Sequence, residues 1–128
     1  MLDLSILILT YNEEIHIRRC LENVSLIAQD IFIIDSFSTD HTLDIAREYS
    51  NVHILQNKWE NNHAKQFNWA LDNIEIQTKW VYRIDADEIV TPELKKEIIE
   101  ACKEHHDDNV NGLVMKFKVY FMGRFLTH

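Results

Sequence analysis

Glycine and proline are almost missing from this chain, which has 2 glycines and 1 proline in 128 residues. Its loops must therefore find turn chemistry in Asn, Asp and Ser, whose side chains bond nearby backbone. The same scarcity excludes collagen-like, proline-rich and flexible-linker compositions. No low-complexity tract or internal repeat is present. Cysteine is scarce too. Cys20 and Cys102 fall at apolar positions of expected helices, which favours two buried reduced thiols over a disulfide and points to a cytoplasmic protein. Long apolar runs are absent. The run Leu4 to Leu9 is too short for a signal peptide or a transmembrane segment, and no basic residue precedes it. Positive charge is in deficit, with 13 Lys and Arg against 21 Asp and Glu and a formal net charge of -8. That balance excludes a nucleic-acid partner held by a general basic surface. An acidic cleft that takes up a divalent cation suits it.

What is present reads as one modest soluble domain, 46% hydrophobic and 27% charged. Leu4 to Thr10 is a continuous, partly β-branched apolar run, the pattern of a strand buried on both faces. Ile17, Leu21, Val24 and Ala28 follow at helical spacing. The alternation then repeats. Strands are expected at Ile31 to Asp35, Val52 to Leu55 and Trp80 to Asp85. Helices are expected around Leu43, Ile45, Ala46 and Tyr49, around Ala64, Phe67, Ala70 and Leu71, and from Thr91 and Pro92 through Leu94, Ile98 and Cys102. Four strand–helix alternations predict an α/β fold, a mostly parallel sheet with helices on both faces. The last segment differs. Leu113, Met115, Phe117, Val119 and Phe121 alternate with Val114, Lys116, Lys118 and Tyr120, which predicts a half-exposed antiparallel strand at the end of the sheet.

In parallel sheets, ligands bind beyond the carboxyl ends of the strands. The polar clusters TYNEE, DSFSTD and DADE each stand at such an end. Asp85 and Asp87, two apart past a strand, suit a hard cation such as magnesium or manganese together with substrate phosphates; the plainer alternative is a solvated acidic loop. Tyr11 offers a plane for a base, with Asn12, Glu13 and Glu14 beside it. Helix capping by Asn12 explains the same residues. DSFSTDHT reads as a capping sequence, with Asp35 as its odd member. Lys65, next to Gln66, is either a diphosphate partner or simply solvated. The 7 histidines lack ligand spacing for zinc, and Trp59, Trp69 and Trp80 read as packing residues.

Together SILILTYNEE, IIDSFSTDHT, NHAKQFNWAL, RIDADEIVTPEL and YFMGRFLTH resemble the family 2 glycosyltransferases in order and spacing, over nearly the whole chain. The likeness is greatest to bacterial enzymes that add sugars to lipopolysaccharide core and other envelope glycans. The resemblance implies a GT-A fold (Rossmann-like), a nucleotide-sugar donor, a manganese or magnesium ion, and a glycan or lipid-linked acceptor at the inner face of the cytoplasmic membrane. Carried over by position, Tyr11 packs on the base, Asp35 lines the nucleoside pocket, Asp85 lies near the ribose and Asp87 holds the metal, with Asp85 beside it. Thr10, Asn12, Glu14 and Ser36 belong to the same donor motifs, and Lys65 and Gln66 to a segment that approaches the diphosphate.

Two departures matter. Many members carry a second acid where this chain has Ser36, so the base is open, with a UDP-sugar as first expectation. Members also continue well past the GRFLTH-like stretch, and the acceptor site and, in inverting members, the catalytic base lie there. The resemblance therefore places the catalytic base beyond His128 and assigns that role to no residue of this chain. The expectation is a truncated, donor-binding half, 1–128, that does not transfer sugar by itself and self-associates through the apolar face of the 113–121 strand. Two alternatives stand beside it. One is a nucleotide-sugar-binding module without activity. The other is an aspartate-dependent phosphotransferase, which would need its motif after the first strand and a threonine where Ile89 stands.

Overall fold

The computed structural model describes residues 2–104 and 119–121. Strands β1 (Leu2–Thr10), β2 (Ala28–Asp35), β3 (Val52–Gln56), β4 (Trp80–Asp85) and β5 (Val119–Phe121) share one sheet in the order β3-β2-β1-β4-β5. β1 to β4 run parallel, while β5 is antiparallel to β4. Helices α1 (Glu14–Val24), α2 (Thr42–Ala46), α3 (His63–Asn73) and α4 (Pro92–Glu104) connect them. The expected α/β architecture is therefore observed. The antiparallel end strand is present at Val119–Phe121. Residues 113–118 and the apolar face expected of them lie outside the described residues. So do the GRFLTH stretch and its last residue, His128, beyond which the catalytic base is expected.

The period of two along each strand sorts the core into two layers. Leu4, Ile6 and Ile8, with Ile31, Ile33, Trp80, Tyr82 and Ile84, meet Ile17, Leu21, Val24, Ala46, Ile98 and Cys102 of α1, α2 and α4. Leu7, Leu9, Ile34 and Val81 meet Phe67, Ala70 and Leu71 of α3 on the other face. Each fully buried Leu or Ile contributes roughly 1.5–3 kcal/mol, so the two layers hold the central strands rigidly under whatever sits at their ends. Ser5 is buried among these apolar residues without penalty, because its hydroxyl pairs with that of Thr78 at 2.7 Å. Cys20 and Cys102 are free, buried thiols, as the sequence predicts.

Local chemistry sets the helix starts. At α4, Thr91 Oγ1 accepts from Leu94 N at 3.1 Å, the cap expected ahead of Pro92. At α3, Asn62 Oδ1 accepts from Lys65 N at 3.1 Å. Capping of α1 by Asn12 is not observed. The N-cap is Glu13, which makes no side-chain cap bond, and Asn12 sits one residue earlier with φ 51°. α2 is shorter than its apolar pattern suggests, ending at Ala46 before Tyr49. Among the described residues, no helix is long and apolar enough to cross a membrane.

β2 and β3 lie on one side of β1, and β4 lies on the other. The chain thus reverses its direction of winding between β1 and β4. At such a switch point the connections diverge and leave a crevice beyond the strand ends.

Candidate functional site

A cavity of about 420 Å³ opens at this crevice, a size suited to a small-molecule ligand. The end of β1 supplies Thr10, Tyr11 and Glu13, the end of β2 supplies Ser36, and the end of β4 supplies Asp85, Ala86 and Asp87. The segment between β3 and α3 adds Trp59 and His63. Three polar clusters that are far apart in sequence line one space, as expected of strand ends in a parallel sheet.

Behind that wall lies a buried polar brace. Asp35 has no exposed surface. Its carboxylate accepts from Thr10 Oγ1 at 2.7 Å, Ser38 N at 2.8 Å, Ser38 Oγ at 2.5 Å and Gln56 Nε2 at 3.3 Å. Buried charge is tolerated only with such a set of donors. The two loops beyond β1 and β2 are laced across each other. Asn12 N donates to Ser38 Oγ at 2.8 Å, Thr39 N to Asn12 Oδ1 at 2.8 Å, and Glu14 N to Asp40 Oδ2 at 3.2 Å. Glu14 returns the link by accepting from His41 N at 3.3 Å. With so few glycines, the tight turns of this edge fall on Asn12, Phe37 and Asn61, all in the left-handed region at φ 51°, 61° and 58°. For Asn that is cheap; for Phe37 it costs roughly 1–2 kcal/mol. Strain of this kind gathers at functional edges of folds.

The acidic segment is held from both sides. Glu88 N donates to Asp85 O at 3.0 Å and Glu88 Oε1 accepts from Asp85 N at 3.0 Å, closing a turn over residues 85–88. Past it, the Asn23 carboxamide grips Val90 twice, accepting from its N at 2.9 Å and donating to its O at 3.1 Å. Burial pushes the Asp85 carboxyl up, the charge of Glu88 and a hydrogen bond to it add, and His63 and Arg83 oppose. Burial likewise raises Glu13, against the pull of His16, with Asp87 and Asp85 adding to the rise. These carboxylates repel one another across the cavity, and such a set is relieved by a bound cation.

The donor set suits a divalent ion. Carboxylate oxygens are hard ligands, and magnesium or manganese commonly takes one or two of them and completes its sphere with water and phosphate. Among the described residues, no group of three or more His, Cys, Asp and Glu side chains is placed to hold a metal. Asp85 and Asp87 are the carboxylates of this wall that suit an ion which completes its sphere with water and phosphate.

Of the residues singled out in the sequence, Thr10, Tyr11, Ser36, Asp85 and Asp87 meet in the cavity wall. Asn12, Glu14 and Asp35 stand behind it as braces. Gln66 is buried, and its carboxamide is fully engaged within the protein. It accepts from Asn57 Nδ2 at 2.9 Å and donates to Asn57 O at 3.3 Å and Ser36 Oγ at 3.1 Å. Lys65 is exposed and is not among the lining residues. Trp69 and Trp80 pack as expected, but Trp59 lines the cavity with 36% of its surface exposed. The sequence holds a signal for this: Trp59 lies among polar residues, on no apolar period. Asn23 carries no such signal, because its grip on Val90 is long-range.

The model of a family described as Glycosyl transferase family 2 matches residues 5–126. The chain is 36% identical over 99 residues to SPbeta prophage-derived glycosyltransferase SunS of Bacillus subtilis, covering 75% of this chain and 22% of SunS. It is 29% identical over 126 residues to lipopolysaccharide core biosynthesis glycosyltransferase LpsC of Rhizobium meliloti, covering 95% of this chain and 44% of LpsC. The chain thus spans less than half of the length of either relative. A solved structure of mannosyltransferase PcManGT from Pyrobaculum calidifontis, in complex with GDP-Man and Mn2+, superposes with a TM-score of 0.67 at 22% identity, over 86% of this chain and 34% of that one.

Proposed function

The chain belongs to glycosyl transferase family 2, and on that premise we propose that its cavity binds the nucleoside diphosphate of a sugar donor through a divalent cation. One observation carries the proposal. Thr10, Tyr11 and Ser36 and the mutually repelling carboxylates Glu13, Asp85 and Asp87 line a single cavity at the switch point of the sheet. A nucleoside diphosphate has an aromatic end and an anionic end, and the cavity offers a partner to each. Tyr11, exposed over 58% of its surface, packs on the base, and Asp87 with Asp85 holds the cation. Asp87 and Asp85 would hold a cation there, whose chemistry would be to offset the charge that develops on the leaving diphosphate. The chain's own residues bind and orient the donor: Asp35 fixes Thr10 and the 36–38 turn, and Asn23 with Glu88 fixes the acidic segment.

PcManGT is seen with GDP-Man and Mn2+, which supports a nucleotide-sugar and a metal here. UDP stays the first choice of base to test, with GDP beside it, because Ser36 replaces the acid that reads the base in many members. LpsC, a lipopolysaccharide core enzyme, supports a cell-envelope glycan or lipid-linked acceptor, reached by peripheral association with the inner face of the membrane. We assign no residue up to His128 as the base that takes the acceptor's proton. The test is calorimetric titration with UDP and GDP, with and without manganese. Binding that needs manganese, and slow hydrolysis of a nucleotide-sugar without transfer to an acceptor, is the expected result. Saturable binding without turnover would instead favour a binding module. Equal affinity with and without metal would refute the cation's role.

A further inference from the structure

Trp59 stands outside the core yet inside the cavity wall. A large indole lies on a segment without regular structure, contributes to neither core layer, and keeps 36% of its surface exposed. Nevertheless the segment is anchored at both ends. On one side Asn57 N donates to Asp35 O at 2.9 Å, and the Asn57 side chain donates to Gln66 at 2.9 Å. On the other, Asn62 caps α3, next to Asn61 in the left-handed region at φ 58°. The indole itself is braced by His63, whose ring meets it edge-on with centroids 5.0 Å apart. Anchors, turn and brace together hold a stiff aromatic at the cavity, and such preorganisation lowers the entropy lost on binding.

Resting on the donor-binding reading above, we propose that Trp59 is a second aromatic wall for the nucleoside of the donor, complementing Tyr11, and so helps set which base is accepted. Its position selects the nucleoside over the diphosphate. The segment springs from the Asp35 and Ser36 end of the cavity through Asn57 and Gln66, and the indole rests against His63, the first residue of α3. The carboxylates that suit a metal come from the β4 end. Base–aromatic stacking is worth roughly 1–3 kcal/mol per base by alanine substitution, about five- to 150-fold in affinity, and it responds to the size of the ring system. A purine offers the indole more overlap than a pyrimidine.

The test compares wild type, Trp59→Ala, Trp59→Phe and Tyr11→Ala in manganese, using UDP, GDP and inorganic pyrophosphate as probes. Trp59→Ala is expected to weaken the preferred nucleoside diphosphate about tenfold and to change the UDP-to-GDP ratio, while pyrophosphate affinity stays within about twofold. Trp59→Phe keeps a ring and is expected to lose less than Trp59→Ala. It should also remove the ligand-induced change in tryptophan fluorescence expected of wild type, because Trp80 is buried and Trp69 is packed against the core on the α3 face. Unchanged nucleoside diphosphate affinity in Trp59→Ala, alongside weakened binding in Tyr11→Ala, would overturn this inference and leave the donor reading intact. Equal losses for pyrophosphate and nucleotide would overturn it too. Failure of wild type to bind any nucleoside diphosphate would instead bring down the donor reading itself.

Discussion

Thr10 and Asp35 are register partners across the parallel β1–β2 pair, and the Thr10 hydroxyl donates to the Asp35 carboxylate at 2.7 Å. The bond ties together the two strand ends from which the nucleoside side of the cavity is built. Asp35 sits at a strand end yet is fully buried, so its charge is stabilised by its hydrogen-bond donors and not by water. Asp35→Ala should therefore lower stability by about 3 kcal/mol, and Thr10→Val by about 1–2 kcal/mol, since each strands buried polar groups. Urea denaturation of the two variants checks the order. Nucleotide affinity should fall with them, because Ser36 and Tyr11 follow the braced residues directly.

Asp87 is exposed at the cavity edge and lies outside both core layers. Asp87→Ala should leave stability within about 0.5 kcal/mol of wild type, as for most surface substitutions, and remove the metal-dependent part of nucleotide binding. Tyr11→Ala should weaken nucleotide binding by about 1 kcal/mol, the scale of one aromatic contact, while the metal dependence stays in place. Titrations of each variant with and without manganese separate the two effects.

Burial pushes the thiols of Cys20 and Cys102 and the phenol of Tyr82 up to about 12. A raised folded-state pKa favours the protonated form in the native protein. Its stabilising contribution is complete below the unfolded value and is lost as pH rises through the folded one. Stability should thus hold at neutral pH and fall progressively between about pH 9 and 12. The native thiols should resist iodoacetamide at pH 8 and react on unfolding. Rapid native labelling of either cysteine would contradict the buried, protonated state.

Phe37 occupies φ 61° with 55% of its surface exposed. Asn tolerates that region far better than an aromatic residue. Phe37→Asn should raise stability by up to about 1 kcal/mol, read as a higher urea midpoint at unchanged slope. A fall in stability would mean that the ring packs more firmly than its exposure indicates.

How much of the molecule is legible in the sequence depends on range. The buried strands announce themselves through runs such as Leu4 to Thr10, and period two assigns each residue to a face before any partner is known. The α4 start at Thr91 and Pro92 is equally local. Asn12 is harder. Its residue type suits both a cap and a left-handed turn, and only the Ser38–Thr39 loop opposite decides between them. Gln66 and Asp35 stand out as site residues, yet each spends its polar atoms inside the protein, positioning Ser36 and Thr10. Trp59 escapes because its signal, an indole among polar residues on no apolar period, is weak beside the usual packing role of tryptophan. Asp85 and Asp87 are legible because three carboxylates in four residues after an apolar strand require water or a cation.

Everything proposed for the donor turns on Asp85 and Asp87 holding a divalent ion shared with its diphosphate. Paramagnetic broadening by Mn2+ in NMR spectra of the labelled chain tests this most directly, since the effect falls off steeply with distance from the ion. With manganese and a nucleoside diphosphate both present, the amide signals of residues 85–88 and of Tyr11 to Glu13 should vanish. Those of residues 74–78, which precede β4 at the opposite edge of the sheet, should persist. Broadening centred elsewhere, or no change at residues 85–88 with both ligands bound, would contradict the account.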